Sequence, residues 1–191
     1  MEKSGKHFHH GRSSREILDS SRVLSTIELK EGDVLLDAGS GDGYMSLAAS
    51  SIVGENGTVY AVDIYEDSME ILKNEIKSKD IKNITPVIAD ISEKIPVADE
   101  SIDVLYMGNV LHGFVENDEV ETVMGEIQRV IKSNGVFAVV EFKKEESKCG
   151  PPLSVKIAPE DVKKIMQNYG FTVKKVEEVG THHYVVISIK K

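Results

Sequence analysis

The sequence contains little of what several classes of protein require. It has a single cysteine, Cys149, which excludes an internal disulfide and a zinc site built from several cysteines. Its longest apolar runs, such as residues 136–140, are far shorter than the ~18 residues of a membrane span. Residues 1–30 lack the apolar core of a signal peptide, and 15 glycines and 5 prolines are too few for a low-complexity chain. We therefore expect a globular protein in the reducing cytoplasm.

Basic residues are also fewer than acidic residues. The chain of 191 residues carries 23 Lys and Arg against 32 Asp and Glu, a net charge of −9. A protein that binds nucleic acid usually presents a basic face that replaces phosphate counterions, whereas here bases and acids alternate, as in residues 143–146. The composition therefore disfavours nucleic acid as a partner, and it leaves the oligomeric state open.

Apolar strands alternate with helical segments along most of the chain. We predict helices over 13–27, 43–52, 67–79, near 118–132 and over 159–169, and strands over 34–36, 58–63, 84–89, 102–107, 136–142, 171–179 and 184–189. The last two strands are separated by only four residues and should form a hairpin. This order predicts an α/β fold with a doubly wound, Rossmann-like seven-stranded sheet, mostly parallel with an antiparallel last strand. We divide the chain into an N-terminal arm and helix, residues 1–30, and a main domain, residues 31–191.

A glycine-rich loop follows the first strand and opens a helix. Residues 37–43 read Asp-Ala-Gly-Ser-Gly-Asp-Gly, and such glycines permit a tight turn and let a ligand approach backbone amides. A dinucleotide site would have the spacing G-x-G-x-x-G. The carboxylate of Asp37 would repel a pyrophosphate, but it suits an ammonium group. The loop therefore predicts a nucleoside-like ligand that carries a cationic amino acid.

This loop resembles the first motif of class I S-adenosylmethionine-dependent methyltransferases, and matches in the same order extend over residues 34–142. Asp63 ends the second strand, Asp90 ends the third, and Asn109 follows the fourth strand at the family's substrate-facing motif. Each acid alone could merely end a strand or cap a helix, but three acids beside one glycine loop are poorly explained in that way. Residues 141–152 are similar to the methyltransferase type 11 branch, which acts on small molecules.

The resemblance implies a Rossmann-like methyltransferase domain that uses S-adenosyl-L-methionine and releases S-adenosyl-L-homocysteine. It implies that Asp63 binds the ribose hydroxyls, and that Asp90 contacts the adenine amino group with Ile91 beside the ring. The implied cofactor-binding residues are Asp37, Gly39, Ser40, Gly41, Gly43, Asp63, Ile64, Asp90, Ile91 and Asn109. We expect methyl transfer to a small-molecule acceptor, with no membrane partner.

A general base is expected if the acceptor is a neutral oxygen or nitrogen, and a histidine with a near-neutral pKa suits that task. His112, just past the fourth strand, is the first candidate. His183, or His182 in its place, is the second, because the start of an antiparallel last strand lies at the same edge of the sheet and successive side chains point to opposite faces. His112 could equally shape the pocket without accepting a proton.

The polar N-terminal arm holds His7, His9 and His10. Together with His182 and His183 they could bind zinc or nickel, but no carboxylate or cysteine spacing supports this, so we predict no metal site. The arm could instead close over the pocket as a lid, or be a plain tail.

Two other functions remain open at the level of the sequence. The chain could be an RNA or protein methyltransferase, although the family's Asn/Asp-Pro-Pro-aromatic motif is absent after the fourth strand and the acidic composition counts against RNA. It could also bind the cofactor without catalysis. The sequence does not name the acceptor.

Overall fold

The computed structural model describes residues 13–191. The predictions for the arm histidines and the lid concern residues 1–12 and lie outside this range. The helices are α1 (Ser20–Thr26), α2 (Tyr44–Val53), α3 (Glu66–Ser78), α4 (Leu111–Glu116), α5 (Val120–Val130) and α6 (Pro159–Asn168). The strands are β1 (Val34–Ala38), β2 (Thr58–Asp63), β3 (Ile84–Ile88), β4 (Ile102–Gly108), β5 (Ile131–Phe142), β6 (Phe171–Glu178) and β7 (His183–Lys190).

The strands form one seven-stranded sheet in the order β3-β2-β1-β4-β5-β7-β6. β7 is inserted antiparallel between β5 and β6, and the other neighbouring strands pair in parallel. This confirms the predicted α/β sheet with an antiparallel last strand. The strand order reverses between β1 and β4, which is where ligands bind in doubly wound sheets.

Two hydrophobic clusters cover the two faces of the sheet. One packs α4, α5 and α6 against residues such as Leu36 and Phe137. The other packs α1, α2 and α3 against residues such as Leu35 and Val59. Alternate side chains of each strand point to opposite faces, so β1 supplies both clusters. Val23 and Leu24 of α1 are buried in the second cluster, which places this helix in the core of the main domain.

The first and fourth helical segments differ from the prediction. α1 begins only at Ser20, because Asp19 caps it by accepting a hydrogen bond from the backbone N–H of Arg22 at 3.1 Å. The segment predicted as one helix near residues 118–132 starts after Asp118, whose left-handed φ of 59° separates α5 from the short helix α4. It ends at Val130 because the following residues already pair with β4.

No helix within residues 13–191 is long and apolar enough to cross a membrane.

The C-terminal end of α2 is fixed by Asn83, just before β3. The Asn83 amide donates hydrogen bonds to the carbonyls of Ser50 at 2.9 Å and Gly54 at 2.8 Å, and its Oδ1 accepts one from the Ser50 hydroxyl at 2.6 Å. These carbonyls lie at the end of the helix, where they also accept the backbone N–H groups of Gly54 and Gly57 at 3.2 and 3.3 Å. Asn83 therefore links the helix that follows the glycine loop to the edge of the sheet.

We expect Asn83→Ala to lower the free energy of unfolding by about 2 kcal/mol, because it removes three partly buried hydrogen bonds. Urea unfolding measures this loss. Lys82→Ala, an exposed neighbour, is the matched control and should stay within about 0.5 kcal/mol of the wild type. An equal effect of the two substitutions would contradict the role of Asn83.

Candidate functional site

A cavity of about 600 Å³ lies at the carboxyl ends of the central strands. It extends from the ends of β2 and β3 past the switch point between β1 and β4, and residues 150–152 line its far side. Of the predicted cofactor residues, the structure brings nine to its surface: Asp37, Gly39, Ser40, Gly41, Asp63, Ile64, Asp90, Ile91 and Asn109. His112 also lines it, whereas Gly43 and His183 do not.

Two glycines of the loop are required by their neighbours. Gly39 has a φ of 81°, and a Cβ there would lie 2.5 Å from Cγ2 of Val110 at the start of α4. Gly43 has a φ of 79°, and a Cβ there would lie 2.3 Å from Cδ1 of Leu72 in α3. Both φ values belong to the region that favours glycine. Gly43 therefore lets α2 start against α3 and does not itself reach the cavity.

Asp63, at the end of β2, fixes the conformation of the glycine loop. Its Oδ2 accepts a hydrogen bond from the backbone N–H of Gly41 at 2.7 Å, and its Oδ1 accepts one from the N–H of Tyr65 at 2.9 Å. A carboxylate oxygen has more than one acceptor site, so each oxygen can accept a further bond from a ligand hydroxyl. Sequence reasoning assigned Asp63 to the ligand and missed this contact with the loop.

Asp90 occupies the outer end of the cavity, after β3. Its Oδ1 accepts hydrogen bonds from the backbone N–H and the hydroxyl of Ser92, at 2.8 and 2.6 Å. The side chain of Ile91 is buried, whereas Ile64 is half exposed beside it. This end of the cavity therefore combines a carboxylate with apolar surface, as a flat ring with an exocyclic amino group would require.

Asp37 is a buried carboxyl group at the base of the cavity. It is 1% exposed, and its Oδ2 accepts a hydrogen bond from the Ser46 hydroxyl at 2.6 Å. Burial raises the pKa of Asp37 to about 7; the hydrogen bond from Ser46 opposes this rise, and the nearby charge of Asp63 adds to it. A cation bound in the cavity would favour the ionised form.

Asn109 combines a strained backbone with an unused acceptor. Its φ of 58° is left-handed, although its backbone N–H keeps a hydrogen bond to the carbonyl of Val140 at 2.8 Å. The side-chain Oδ1 is buried and finds no donor among the described residues. Strain and unpaired buried polar atoms concentrate at functional sites, so this oxygen is a candidate acceptor for a ligand N–H or O–H group.

A buried histidine–glutamate pair connects the start of α4 with the end of β5. Nδ1 of His112 is 2.7 Å from Oε2 of Glu141, and the backbone N–H of His112 donates to Oε1 at 3.0 Å. Both side chains are almost completely buried. In the tautomer in which Nδ1–H donates to Glu141, Nε2 is the ring nitrogen that carries the lone pair. Sequence reasoning missed Glu141, although a lone acid near the end of an otherwise apolar strand was the signal.

His183 is held away from the cavity. It is completely buried and packs on the ring of Phe142, with the ring centroids 4.2 Å apart; Phe142 itself lines the cavity. Burial lowers the pKa of His183 to about 4, and the charges of His182, Lys156 and Lys143 lower it further. The catalytic role of His183 stays a prediction, and this position behind Phe142 does not support it.

The segment that lines the far side of the cavity is anchored by Lys156. This lysine is buried, its ammonium donates to the Glu145 carbonyl at 2.9 Å and the Ser147 hydroxyl at 2.6 Å, and it lies 5.6 Å from the centre of the Phe142 ring. Sequence reasoning did not identify this anchor. Across residues 13–191, no group of three or more His, Cys, Asp and Glu side chains is arranged to bind a metal ion.

Known proteins are similar to this chain in sequence and in architecture. A family model described as "Methyltransferase domain" matches residues 29–184. A ubiquinone/menaquinone biosynthesis C-methyltransferase of Paraburkholderia xenovorans is 28% identical over 174 residues, which are 88% of this chain and 64% of that protein. Its counterpart in Neisseria meningitidis is 28% identical over 122 residues, 64% of this chain and 48% of that protein. The chain thus spans less than two thirds of the length of these relatives.

A solved structure supports the same relationship. The crystal structure of a SAM-dependent methyltransferase from Aquifex aeolicus superposes with a TM-score of 0.85 at 31% identity, covering 95% of each chain.

The raised pKa of Asp37 predicts a pH-dependent stability of the free protein. The pKa of Asp37 is about 7 in the folded state and about 4 in an unfolded chain. Between these two pH values the folded state therefore binds more protons than the unfolded chain. The free energy of unfolding therefore falls as the pH rises through this range. We expect Asp37→Asn to be more stable than the wild type at about pH 8, by up to about 4 kcal/mol, and the difference to shrink towards about pH 5.

Urea unfolding at several pH values measures this difference. Asp80→Asn, at an exposed surface position, is the control and should follow the wild type at each pH. If the Asp37→Asn variant keeps the pH dependence of the wild type, Asp37 is not the group responsible.

Proposed function

We propose that this chain, which belongs to the methyltransferase domain family, transfers the methyl group of S-adenosylmethionine to a small-molecule acceptor. The observation that carries the proposal is the convergence, in one cavity of about 600 Å³, of the predicted cofactor residues with His112. A cavity of this size that also contains the cofactor leaves space for a group of small-molecule size beside it.

The residues around the cavity fit the proposed cofactor. S-adenosylmethionine presents two ribose hydroxyls, an adenine amino group and an ammonium group, and the cavity offers the carboxylates of Asp63, Asp90 and Asp37. The unpaired Oδ1 of Asn109 is a further acceptor. We assign the ribose to Asp63, the adenine to Asp90 and Ile91, and the ammonium group to Asp37. When bound, the cofactor supplies the electrophilic methyl group.

His112 is the proposed general base. In this assignment, Nε2 of His112 takes the proton that an O–H or N–H acceptor, or an acidic C–H, loses as it accepts the methyl group. Glu141 fixes the ring through Nδ1 and stabilises the imidazolium that forms. Glu141 acts through His112 and is therefore a positioning residue. The remaining contribution to the rate is the orientation of the acceptor, since methyl transfer requires the acceptor atom to lie in line with the bond between sulfur and the methyl carbon.

Charge argues against a nucleic-acid acceptor. No Lys or Arg of residues 13–191 lines the cavity, whereas several carboxylates do, and phosphate backbones are bound mainly through basic side chains. The two relatives are also named for the biosynthesis of small molecules, ubiquinone and menaquinone. Both observations support a small acceptor without naming it.

The proposal is tested with cofactor that carries a tritiated methyl group. A cell extract is divided into a small-molecule fraction, an RNA fraction and a protein fraction. The purified chain is incubated with each fraction separately. We expect label to appear in the small-molecule fraction only, with an equal amount of S-adenosylhomocysteine. Label in RNA or protein would overturn the proposed acceptor class, and cofactor binding without any transfer would identify a binding module.

Asp63→Ala is the matched inactive variant for this experiment. It removes charge-assisted hydrogen bonds to the ribose and the contact with the glycine loop, so calorimetric titration with S-adenosylhomocysteine should show a loss of about 1.5–3 kcal/mol or more. Asp80→Ala, at an exposed position, should bind as the wild type. An unchanged affinity of the folded Asp63→Ala variant would refute the ribose assignment.

Glu141→Gln tests the proposed base. The amide can donate to Nδ1 and move the ring proton to Nε2, so we expect turnover to fall by about 10²–10⁴-fold with S-adenosylhomocysteine affinity unchanged. Nitrogen-15 NMR of His112 should show a proton on Nδ1 in the wild type and on Nε2 in the variant. A changed tautomer with unchanged turnover would show that His112 shapes the pocket only.

A further inference from the structure

The side chain of Tyr106 reaches the cavity from the middle of β4. Tyr106 pairs with Asp37 in the register of β1 and β4, so both side chains point to the face covered by α1 and α2. The ring extends over Gly108, where a Cβ would lie 2.2 Å from the phenol oxygen. Residue 108 must be glycine for the hydroxyl to occupy this place, at the end of β4 beside the switch point.

Tyr106 is almost completely buried, and its hydroxyl has an unused hydrogen bond. Tyr106 is 3% exposed and lines the cavity. The hydroxyls of two comparable tyrosines donate within the protein, Tyr44 to the Leu18 carbonyl and Tyr184 to the Ile157 carbonyl, whereas the Tyr106 hydroxyl bonds to no other described residue. Burial raises the pKa of Tyr106 well above its usual value, and the charges of Asp37 and Glu141 add to this rise. The hydroxyl therefore remains protonated and able to donate.

The Tyr106 hydroxyl lies where the amino-acid part of the cofactor is expected. This argument rests on the proposed function. With adenosine at Asp63 and Asp90, on the side of β2 and β3, the amino-acid part extends towards β1 and β4. That part is a zwitterion, and its ammonium group has Asp37 as a partner. Its carboxylate needs a donor in a cavity whose described surface is rich in acids: Asp37, Asp42, Asp63, Asp90 and Glu119.

Among residues 13–191, the charged donor considered for that carboxylate, Arg15, is already engaged. Arg15 lies close to this end of the cavity, but its guanidinium pairs with Asp42 at 3.0 Å and with Glu75 at 2.8 Å, and it is not among the lining residues. A buried carboxylate ligand requires hydrogen bonds in place of its water shell. A neutral hydroxyl donor supplies one without placing a cation next to the methyl-donating centre.

We propose that the Tyr106 hydroxyl is a cofactor-binding group that donates a hydrogen bond to the carboxylate of the cofactor's amino-acid part, beside Asp37 and its ammonium group. The adjacent strands β1 and β4 then recognise the two charges of the zwitterion with one residue each. This contact distinguishes the complete cofactor and its demethylated product from adenosine derivatives without an amino acid.

The experiment compares two ligands on the same variant. S-adenosylhomocysteine and 5′-methylthioadenosine share the adenosine and the thioether sulfur, but only the first has the amino-acid part. For Tyr106→Phe we expect the affinity for S-adenosylhomocysteine to fall about tenfold or more, because a bond to a charged group is lost. The affinity for 5′-methylthioadenosine should stay within about twofold. Because both ligands bind the same variant, a general loss of stability lowers both affinities and leaves their ratio unchanged.

Two further variants complete the test. Tyr184→Phe makes the same chemical change at a buried tyrosine outside the cavity and should leave the ratio of the two affinities unchanged. Equal losses for both ligands in Tyr106→Phe, or no loss, would overturn the inference while leaving the proposed function intact. A loss specific to S-adenosylhomocysteine in Arg15→Met instead would assign the carboxylate to Arg15. A wild-type chain that binds neither ligand would overturn the proposed function itself.

Discussion

β1 and β4 pair in parallel at the centre of the sheet, and the chain leaves their carboxyl ends in opposite directions. β1 continues through the glycine loop into α2 on one face, whereas β4 continues through Asn109 into α4 on the other. No helix can cover the crevice between two such departures. The loop, the strained Asn109 and the two flanking strand ends therefore face one another because of this single pairing, and the cavity exists for the same reason.

The cavity holds the carboxyl group of Asp37 in a buried position, and this is unfavourable for its ionised form in the free protein. Burial moves the pKa of Asp37 to about 7, into the range where ionisation and folding compete. A bound cationic group relieves the competition, because a ligand that binds only the folded state stabilises it by mass action. Substitutions that neutralise the site can thus increase the stability of the free chain while they weaken binding, a trade-off common at functional sites.

Local patterns were sufficient to predict the order of the strands, the glycine loop and the acids at the strand ends, although β5 begins at Ile131 and not at residue 136. The prediction of β2 over residues 58–63 agrees with the structure at both ends, and parallel pairing brings such ends to one edge. Contacts between distant segments were not predictable. His112 and Glu141 are separated by 29 positions, and only the register of β4 and β5 brings them together. For His183, alternation along β7 indicated that one of two histidines points inward, but not that Phe142 lies between it and the cavity.

The insertion of β7 between β5 and β6 has a consequence for the order of assembly. β6 has β7 as its neighbour in the sheet, so it is connected to β5 only through the strand that follows it in the chain. The same pairing aligns Tyr184 with Glu141 and His183 with Phe142, and Phe142 lines the cavity. During synthesis, β1 to β4 and the glycine loop emerge well before β7 does. The part of the cavity formed by β1 to β4 can thus assemble early on the nascent chain. The part next to Phe142 also depends on the pairing of β7 with β5, which closes a long loop, and such non-local sheet contacts form slowly.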